Sequence, residues 1–373
     1  MDRIEALTHR IHAQQLDREA DDSPVTEAAI LDFGIQDTGR DGASWALANR
    51  GFPVPNPASL EQDQDLALVW TLRSSPHYYR RSELFDVLTA TSPYSEDDAT
   101  KRVFGAGQPL QAVGISTLDG LREVAKQLRA VVTKPLVKGE VSTRLSARLD
   151  EPYLRDCVPC NAHHSWEIPF RNGALYAGLE LEPGTSPPVL RRIPGWPRRA
   201  AGPADDPDQA PDHLQPIRNY LRFLGPATPQ DVAAFLDGPV AVVKAHWPED
   251  AVEVDVDGHR GWMLPGDPPP AVDSGLVRLL GGYDPLMQAK DRALIVPDKS
   301  RHKALWPTLG RPGAVLVGTE VVGTWRPKAT AKAFTLRLEL WDKISRSARK
   351  RLEAEGERLA GHRGRTWAGI EEA

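Results

Sequence analysis

The sequence predicts an α+β protein made of three tandem winged-helix modules followed by a C-terminal β-hairpin and helix. Two observations lead to this fold class. First, amphipathic helices separated by Gly and Pro alternate with strand–turn–strand segments, and this order recurs along the chain. Second, 373 residues with 40% hydrophobic content can bury a large core divided among two or three domains.

The first module is predicted at residues 1–116. Apolar spacing in its N-terminal part predicts helices at residues 4–16, 26–33 and 42–49. A Pro-rich connection at residues 51–64 leads into the strand ALVWTLR. The segment therefore has the helices and one strand of a winged helix.

The second module is predicted at residues 117–199. The stretches LDGLREVAKQLRAVV, KGEVSTRLSARL and HHSWEIPFRNGALYAG each predict a helix, and LELEPGTSPPVLRRI predicts two strands around a Pro and Gly turn. The acidic, Pro- and Ala-rich stretch that follows, residues 200–211, is predicted to be a linker.

The third module, residues 212–270, has the clearest pattern. HLQPIRNYLRFLG predicts a helix that ends at Gly225, and Thr228 before Pro229 predicts the start of the next one. A third short helix, VAVVKAHW, precedes two alternating strands joined at Asp257 and Gly258. Three helices closed by a hairpin are the layout of a winged helix.

Residues 271–373 form the predicted C-terminal part. VLVGTEVVGTWRPK alternates as a hairpin with its turn near Gly318, and a long helix is predicted from Lys343 to Arg358. The upstream run GGYDPLMQAKDRALIVPD sets charged residues directly beside apolar ones. This arrangement indicates charged side chains that hold a defined geometry and do more than keep the surface soluble.

The charge of the chain is distributed unevenly. The formal net charge is −5, yet the segment from Met287 to Trp367 holds 18 Lys or Arg and 8 Asp or Glu, a balance of +10. This segment is a candidate phosphate-binding surface, although its helix also fits a solvated face with Glu and Lys pairs.

Several classes of protein are not expected. The sequence has neither a signal-peptide layout nor an apolar run that could span a bilayer, so a cytoplasmic protein is predicted. The side chains of His163 and His164 should diverge, so we expect no metal site with Cys157 and Cys160. GAGQPL, residues 105–110, lacks the third Gly and the Lys of a nucleotide loop, and no cofactor is predicted.

Together, the three winged-helix patterns, LVWTLRSSPHYYR, GYDPLMQAKDR, VVGTWRPK and the basic C-terminal helix resemble the AlkZ-like winged-helix DNA glycosylase family. The resemblance covers essentially the whole chain. It implies tandem winged helices around a basic channel that holds double-stranded DNA, and removal of bulky alkylated bases or unhooking of interstrand crosslinks. We also expect no membrane partner, because no apolar run could span a bilayer, and we expect a monomer.

The family's catalytic element is Gln-x-Gln, or Gln-x-Asp in a sister group, at the end of the second N-terminal helix. Ungapped alignment places Gln36, Asp37 and Thr38 there, which departs from the pattern because Thr38 replaces the second polar residue. An alignment with one deletion puts Asp37 in the carboxylate position. The alternative is that Asp37, Thr38 and Asp41 only cap the next helix.

The chemistry favours Gln36 with Asp37. An N7-alkylated purine is already a good leaving group, so the protein needs only to position a water and stabilise an oxocarbenium-like sugar. An amide can orient that water, and a carboxylate can deprotonate it or offset the charge of the sugar.

The resemblance and the local charge also suggest residues that contact DNA. These candidates are Arg73, His77, His164, Lys290, Arg292, Trp325, Arg326 and Lys328. For Trp325, packing under the hairpin is the alternative to stacking on a base. For the whole chain, the alternative to a glycosylase is a non-catalytic DNA-binding protein, such as a regulator or a lesion binder.

Overall fold

The structure is a computed structural model and describes residues 1–197 and 202–372. Residues 198–201 lie outside the described residues, and with them the end of the predicted second module and the start of the predicted linker. The structure confirms a mixed α+β protein. No helix within the two described ranges is long and apolar enough to cross a membrane.

The structure contains both short and long helices. In chain order the α-helices of the described residues are α1 (Arg3–Ala13), α2 (Gly42–Asn49), α3 (Pro57–Glu61), α4 (Leu84–Thr91), α5 (Glu96–Arg102), α6 (Gly107–Ala112), α7 (Thr117–Val131), α8 (Lys138–Ser146), α9 (Glu167–Tyr176), α10 (Pro216–Leu224), α11 (Pro229–Leu236), α12 (Val240–Ala245), α13 (Arg292–Ile295), α14 (His302–Leu305) and α15 (Arg346–His362).

The strands are mostly short until the C-terminal part of the chain. Those of the described residues are β1 (Ile35–Gln36), β2 (Leu66–Trp70), β3 (Pro76–Arg80), β4 (Leu136–Val137), β5 (Leu154–Cys157), β6 (Ala162–Ser165), β7 (Leu179–Leu181), β8 (Val189–Arg192), β9 (Val252–Val256), β10 (His259–Met263), β11 (Val277–Leu280), β12 (Gly313–Val317), β13 (Glu320–Ala329), β14 (Ala333–Leu340) and β15 (Thr366–Glu372).

One predicted helix is wrong, and it bears on the candidate catalytic residues. Residues 26–33 form two 3₁₀ turns, Val25–Glu27 and Ala29–Asp32, because the backbone of Ala28 between them is extended. Gly34 follows with φ of +81°, a conformation that suits glycine. Gln36 therefore lies on the short strand β1 rather than at the end of a helix.

The chain folds into two compact units. The first unit comprises Met1–Asp63, Arg218–Val232 and Pro248–Ala373, and the second comprises Gln64–Ile217 and Ala233–Trp247. The boundaries fall inside α10 and α11, so each of these helices is shared by the two units.

The first unit is built on a sheet with the strand order β11-β12-β13-β14-β15. Its neighbouring strands are antiparallel except β14 and β15, which are parallel. Its core combines α2, the sheet and α15, with the buried side chains of Trp45, Val277, Leu279, Val315, Val322, Trp325, Phe334, Leu336, Leu338, Ala348, Leu352, Leu359 and Ala360. The predicted hairpin is β12 and β13, which turn at Gly318 with φ of +57°.

Two ion pairs of the first unit, each with a fully buried arginine, explain the charged run GYDPLMQAKDR. The guanidinium of Arg50 bonds both carboxylate oxygens of Asp284 at 2.9 and 3.0 Å, and both side chains are fully buried. Asp291 likewise bonds Arg10, whose side chain is also fully buried. These ion pairs tie α1 and the end of α2 to the segment before α13, so the charges of this run hold a defined geometry as predicted.

The hairpin of β9 and β10 in the first unit confirms its predicted turn. Asp257 and Gly258 have φ of +49° and +85°, as a two-residue type I′ turn requires. The predicted helix start is also present, because Asp231 N–H donates to the hydroxyl of Thr228 at 3.2 Å and Thr228 N–H donates to the carboxylate of Asp231 at 2.9 Å.

The second unit contains an antiparallel sheet with the order β3-β2-β7-β8-β4. Helices α7 and α9 pack closely, since a Cβ added at Gly173 would lie 3.0 Å from Val124 Cγ1. The sequence predicted α7, α8, the strands β7 and β8, and a third helix in HHSWEIPFRNGALYAG, of which Glu167–Tyr176 is helical as α9 while His163 and His164 lie on β6. It did not predict the hairpin β5 and β6, which precedes α9.

Candidate active site and nucleic-acid groove

The segment Gln36, Asp37 and Thr38 links β1 to α2 in the first unit. Gln36 is 5% exposed, and its amide Nε2–H donates to Thr38 Oγ1 at 2.8 Å. Helix α2 is anchored at its other end, because Trp45 and Asn49 both donate side-chain N–H bonds to the carbonyl of Leu279. These two bonds tie α2, which follows the segment, to strand β11 of the sheet.

Asp37 is half-buried and lies at the N-terminus of α2. Its Oδ1 accepts the N–H of Ala43 at 3.1 Å. Burial raises the pKa of Asp37, while the N–H of Ala43 opposes this rise and the carboxylates of Asp41 and Glu61 add to it. A carboxylate with a raised pKa is a stronger base than an ordinary surface aspartate.

Thr38 lines a groove of about 500 Å³ in the first unit. Five arginines contribute to its wall, and they come from four separate segments: Arg40, Arg311, Arg326, Arg363 and Arg365. The glycines Gly281, Gly282 and Gly313 line the same groove. At Gly313 a Cβ would lie 2.1 Å from Trp325 Nε1, so only glycine lets this indole pack across the strand.

The arginines of the groove differ in their partners. Arg363 is paired with Asp41, and Arg311 lies 5.1 Å from the ring centre of Tyr283. Within the described ranges, no carboxylate lies at ion-pair distance from Arg40, Arg326 or Arg365. Their uncompensated charge makes the groove a surface suited to phosphate groups.

Of the candidate DNA contacts near the C-terminal hairpin, Arg326 is exposed and lines this groove. Trp325 is 4% exposed and donates its indole N–H to the carbonyl of Leu280 at 2.9 Å. Its side chain is therefore packed under the hairpin, which was the alternative to stacking on a base. Lys328 is exposed and pairs with Glu371 at 2.8 Å.

Lys290 and Arg292 flank the partly buried Asp291 and do not line the groove. The backbone N–H of Lys290 donates to the hydroxyl of Tyr220 at 2.9 Å. The guanidinium of Arg292 lies 5.1 Å from the ring centre of Trp306, and burial followed by the charge of Arg311 lowers its pKa. The side chain of Arg292 therefore packs against Trp306, and Lys290 contributes a backbone bond to Tyr220.

Arg73 and His77 belong to the second unit. Arg73 adopts φ of +55°, and its guanidinium lies 4.2 Å from the ring centre of Phe235. His77 is 2% exposed, and its Nδ1 lies 2.9 Å from the carbonyl oxygen of Ser75. Burial, assisted by Arg73, lowers the pKa of His77 to about 3, so this imidazole is neutral at physiological pH.

His164, also in the second unit, lies beside two cysteines. Ligand atoms of Cys157, Cys160 and His164 all lie within 4.8 Å of one another. His163 instead contacts the carboxylate of Asp156 at 2.8 Å, so the two histidines diverge as predicted. Hydrogen bonds, that from Arg155 first, lower the pKa of Cys157 to about 6.

Sequence reasoning missed four of the groove arginines: Arg40, Arg311, Arg363 and Arg365. Three of them fall in the segment whose local charge is +10, which was the available signal. Because these arginines are far apart in the chain, the sequence alone did not show that they converge with Arg326 and Thr38.

Comparisons with known proteins identify the family and the fold. The family model described as DNA glycosylase AlkZ-like matches residues 33–362. Among solved structures, the DNA glycosylase AlkZ of Streptomyces sahachiroi has a similar fold, with a TM-score of 0.72 and 19% identity over 100% of both chains. No curated protein sequence matches. Because the family model matches most of its length, the chain belongs to the AlkZ-like DNA glycosylase family.

Proposed function

We propose that the chain hydrolyses the N-glycosidic bond of N7-alkylated purines in duplex DNA, in DNA repair or self-resistance. The observation that carries the proposal is the place of Thr38, which is bonded to Gln36 and lines a groove walled by five arginines. Membership of a DNA glycosylase family supports DNA as the partner. Tandem winged helices and a monomeric chain are part of the same proposal.

Three neighbouring side chains would orient and deprotonate the attacking water molecule. The hydroxyl of Thr38 accepts a hydrogen bond from Gln36, so its own proton is available to a water molecule. That water can in turn donate to the carboxylate of Asp37, whose raised pKa suits a general base. In this scheme Gln36 acts through Thr38 and sets the direction of its hydroxyl.

Asp37 also offers negative charge to the sugar. Cleavage leaves positive charge on the deoxyribose, while the departing N7-alkylated base becomes neutral. A carboxylate held in a partly buried site stabilises that charge more strongly than one in bulk water. The oxygen of the water then forms the new bond to the anomeric carbon, and Asp37 takes its proton.

The groove arginines would hold the DNA backbone. Arg40, Arg326 and Arg365 carry charge without a carboxylate partner among the described residues. Contacts to phosphates fix the register of a duplex but carry no sequence information. This fits an enzyme that must act on lesions in any sequence.

A non-catalytic DNA-binding protein is the second candidate. The bond from Ala43 N–H to Asp37 is the contact expected of a residue that caps α2. Thr38 also stands where the family's motif has a second Gln or an Asp. Both observations are compatible with a binding site that has lost its chemistry.

One assay separates the two candidates. The protein is incubated with duplex DNA that carries a single N7-methylguanine, and with duplexes that carry bulkier N7 adducts. We expect free base and an abasic site that breaks on heating in alkali. If no adduct is released above the rate without protein while DNA binding is tight, the chain is the non-catalytic binder.

Replacing Arg326 with alanine tests the groove itself. We expect weaker DNA binding, and the slope of log K against log salt concentration should fall by about 0.9 because about one phosphate contact is lost. Fluorescence anisotropy over a series of salt concentrations measures both quantities.

Arg351→Ala is the matched control, because Arg351 is an exposed arginine of the same unit that already pairs with Asp273 and does not line the groove. Equal effects of Arg326→Ala and Arg351→Ala would show that general surface charge, and not the groove, attracts the DNA.

A further inference from the structure

The hairpin of β5 and β6 in the second unit brings together a cluster that the proposed glycosylase chemistry does not use. Cys157 ends β5, Cys160 lies in the connecting turn, and His164 lies on β6. Asn161 closes the turn with φ of +46°. The turn thereby places two sulfur atoms and one imidazole within 4.8 Å of one another.

These three ligands have the chemistry of a zinc site. Two thiolates and an imidazole suit Zn²⁺, which binds sulfur at about 2.3 Å and nitrogen at about 2.0 Å in a tetrahedron. Ligand atoms around such an ion lie about 3.5 to 3.8 Å apart. A cluster already within 4.8 Å needs only small side-chain rotations to reach that geometry.

The neighbours of the cluster fit the same role. The Nδ1 of His164 lies 2.7 Å from the carbonyl oxygen of Ser165, so Nδ1–H donates there and Nε2 keeps its lone pair for a metal. Arg155 donates from Nη2 to Cys157 Sγ at 3.6 Å, which offsets the charge of a thiolate. Zinc-bound histidines typically have such a carbonyl partner.

We propose that Cys157, Cys160 and His164 bind a Zn²⁺ ion that fixes the β5–β6 hairpin. The described residues supply three ligands, and a water molecule completes the tetrahedron. Binding exchanges thiol protons for the metal and involves no oxidation or reduction. The site does not require both histidines, which was the reason for expecting no metal from the sequence.

The test uses the full-length protein, reduced with a phosphine, incubated with ZnCl₂ and freed of excess metal by gel filtration. Elemental analysis should find about one zinc per chain. Substitution with Co²⁺ should give the absorption bands of a tetrahedral, thiolate-bound ion. Less than about a tenth of an equivalent in the reduced wild-type protein would overturn the proposal.

Variants locate the ion. Cys160→Ser and His164→Ala should each lower zinc affinity by at least about 10-fold. His163→Ala should leave zinc affinity unchanged, because His163 contacts the carboxylate of Asp156 instead. Equal loss in His163→Ala and His164→Ala would contradict the assignment. Circular dichroism establishes that each variant is folded before its metal content is measured.

A local measurement shows whether the ion is structural. Hydrogen exchange of residues 154–165 should slow on zinc addition to the wild-type protein and stay unchanged in Cys160→Ser. Zinc that binds without slowing exchange at the hairpin would contradict the structural role. This outcome is independent of base release, so it leaves the proposed glycosylase activity untouched.

Discussion

Replacing Asp37 with asparagine is expected to lower the rate of base release by about 100-fold or more, because the base and counter-charge of the reaction are lost together. DNA affinity should stay close to that of the wild type, since Asp37 contributes no positive charge. The amide oxygen of asparagine can still accept the N–H of Ala43, so the start of α2 is kept.

The stability of this variant separates catalysis from capping. Burial raises the folded-state pKa of Asp37 above its unfolded value. The stabilising effect of the protonated form is therefore complete below the unfolded pKa and is lost as the pH rises through the folded pKa. At neutral pH the ionised carboxylate costs folding free energy, so Asp37→Asn should be as stable as the wild type or more stable.

The measurements are single-turnover base release and thermal unfolding on the same preparations. In the wild type, base release should also fall as the pH is lowered through the raised pKa of Asp37, and this limb should be missing from the residual activity of Asp37→Asn. Asp37→Ala is the companion variant, because it removes the cap as well as the charge. An asparagine variant with full activity would assign Asp37 to capping alone.

Replacing Asp284 with alanine should lower the free energy of unfolding by about 3 to 5 kcal/mol. The variant leaves the guanidinium of Arg50 fully buried without its carboxylate, and also removes the bond from Leu286 N–H to Asp284 Oδ1. The effect is large because a buried charge that loses its partner regains no solvation. Chemical denaturation followed by tryptophan fluorescence measures it.

Two further variants define the cause. Glu371→Ala breaks two exposed pairs in the same unit, with Lys328 and with Arg337, and should change stability little. Removing both charges, as Arg50→Met with Asp284→Leu, should recover much of the loss because no unpaired charge remains. If the double variant were as unstable as Asp284→Ala, packing and not electrostatics would be responsible.

Local sequence signals predicted much of the secondary structure. The limits of α2 agree with the predicted residues 42–49, and α7, α8, α15 and the β12–β13 hairpin lie where apolar spacing and turn residues placed them. Each depends on residues close in the chain, so propensity and periodicity suffice. The strand β15 was missed because it pairs in parallel with β14, with helix α15 between them in the chain, so no hairpin pattern marks it. The strand β14 was also missed, although its alternating apolar residues and its antiparallel pairing with β13 provided a local signal.

The candidate site was only partly predictable. Gln36, Asp37 and Thr38 were identified through a family motif, but their strand and loop conformation was not, because it depends on Ala28 and Gly34 breaking the expected helix. The role of Trp325 was not predictable from the sequence either, for another reason. An indole beside basic residues fits either a DNA contact or a core, and only the packing against Gly313 decides between them.

By itself, the sequence determined the α+β class, the family resemblance, the basic C-terminal region and the three residues proposed for catalysis. Tertiary structure alone decided that Asp284 is a buried partner of Arg50, that five arginines converge beside Thr38, and that His164 rather than His163 joins the two cysteines. The physical reason is common to all three. Burial and charge pairing depend on segments far apart in the chain, and their distances are set only when the core packs.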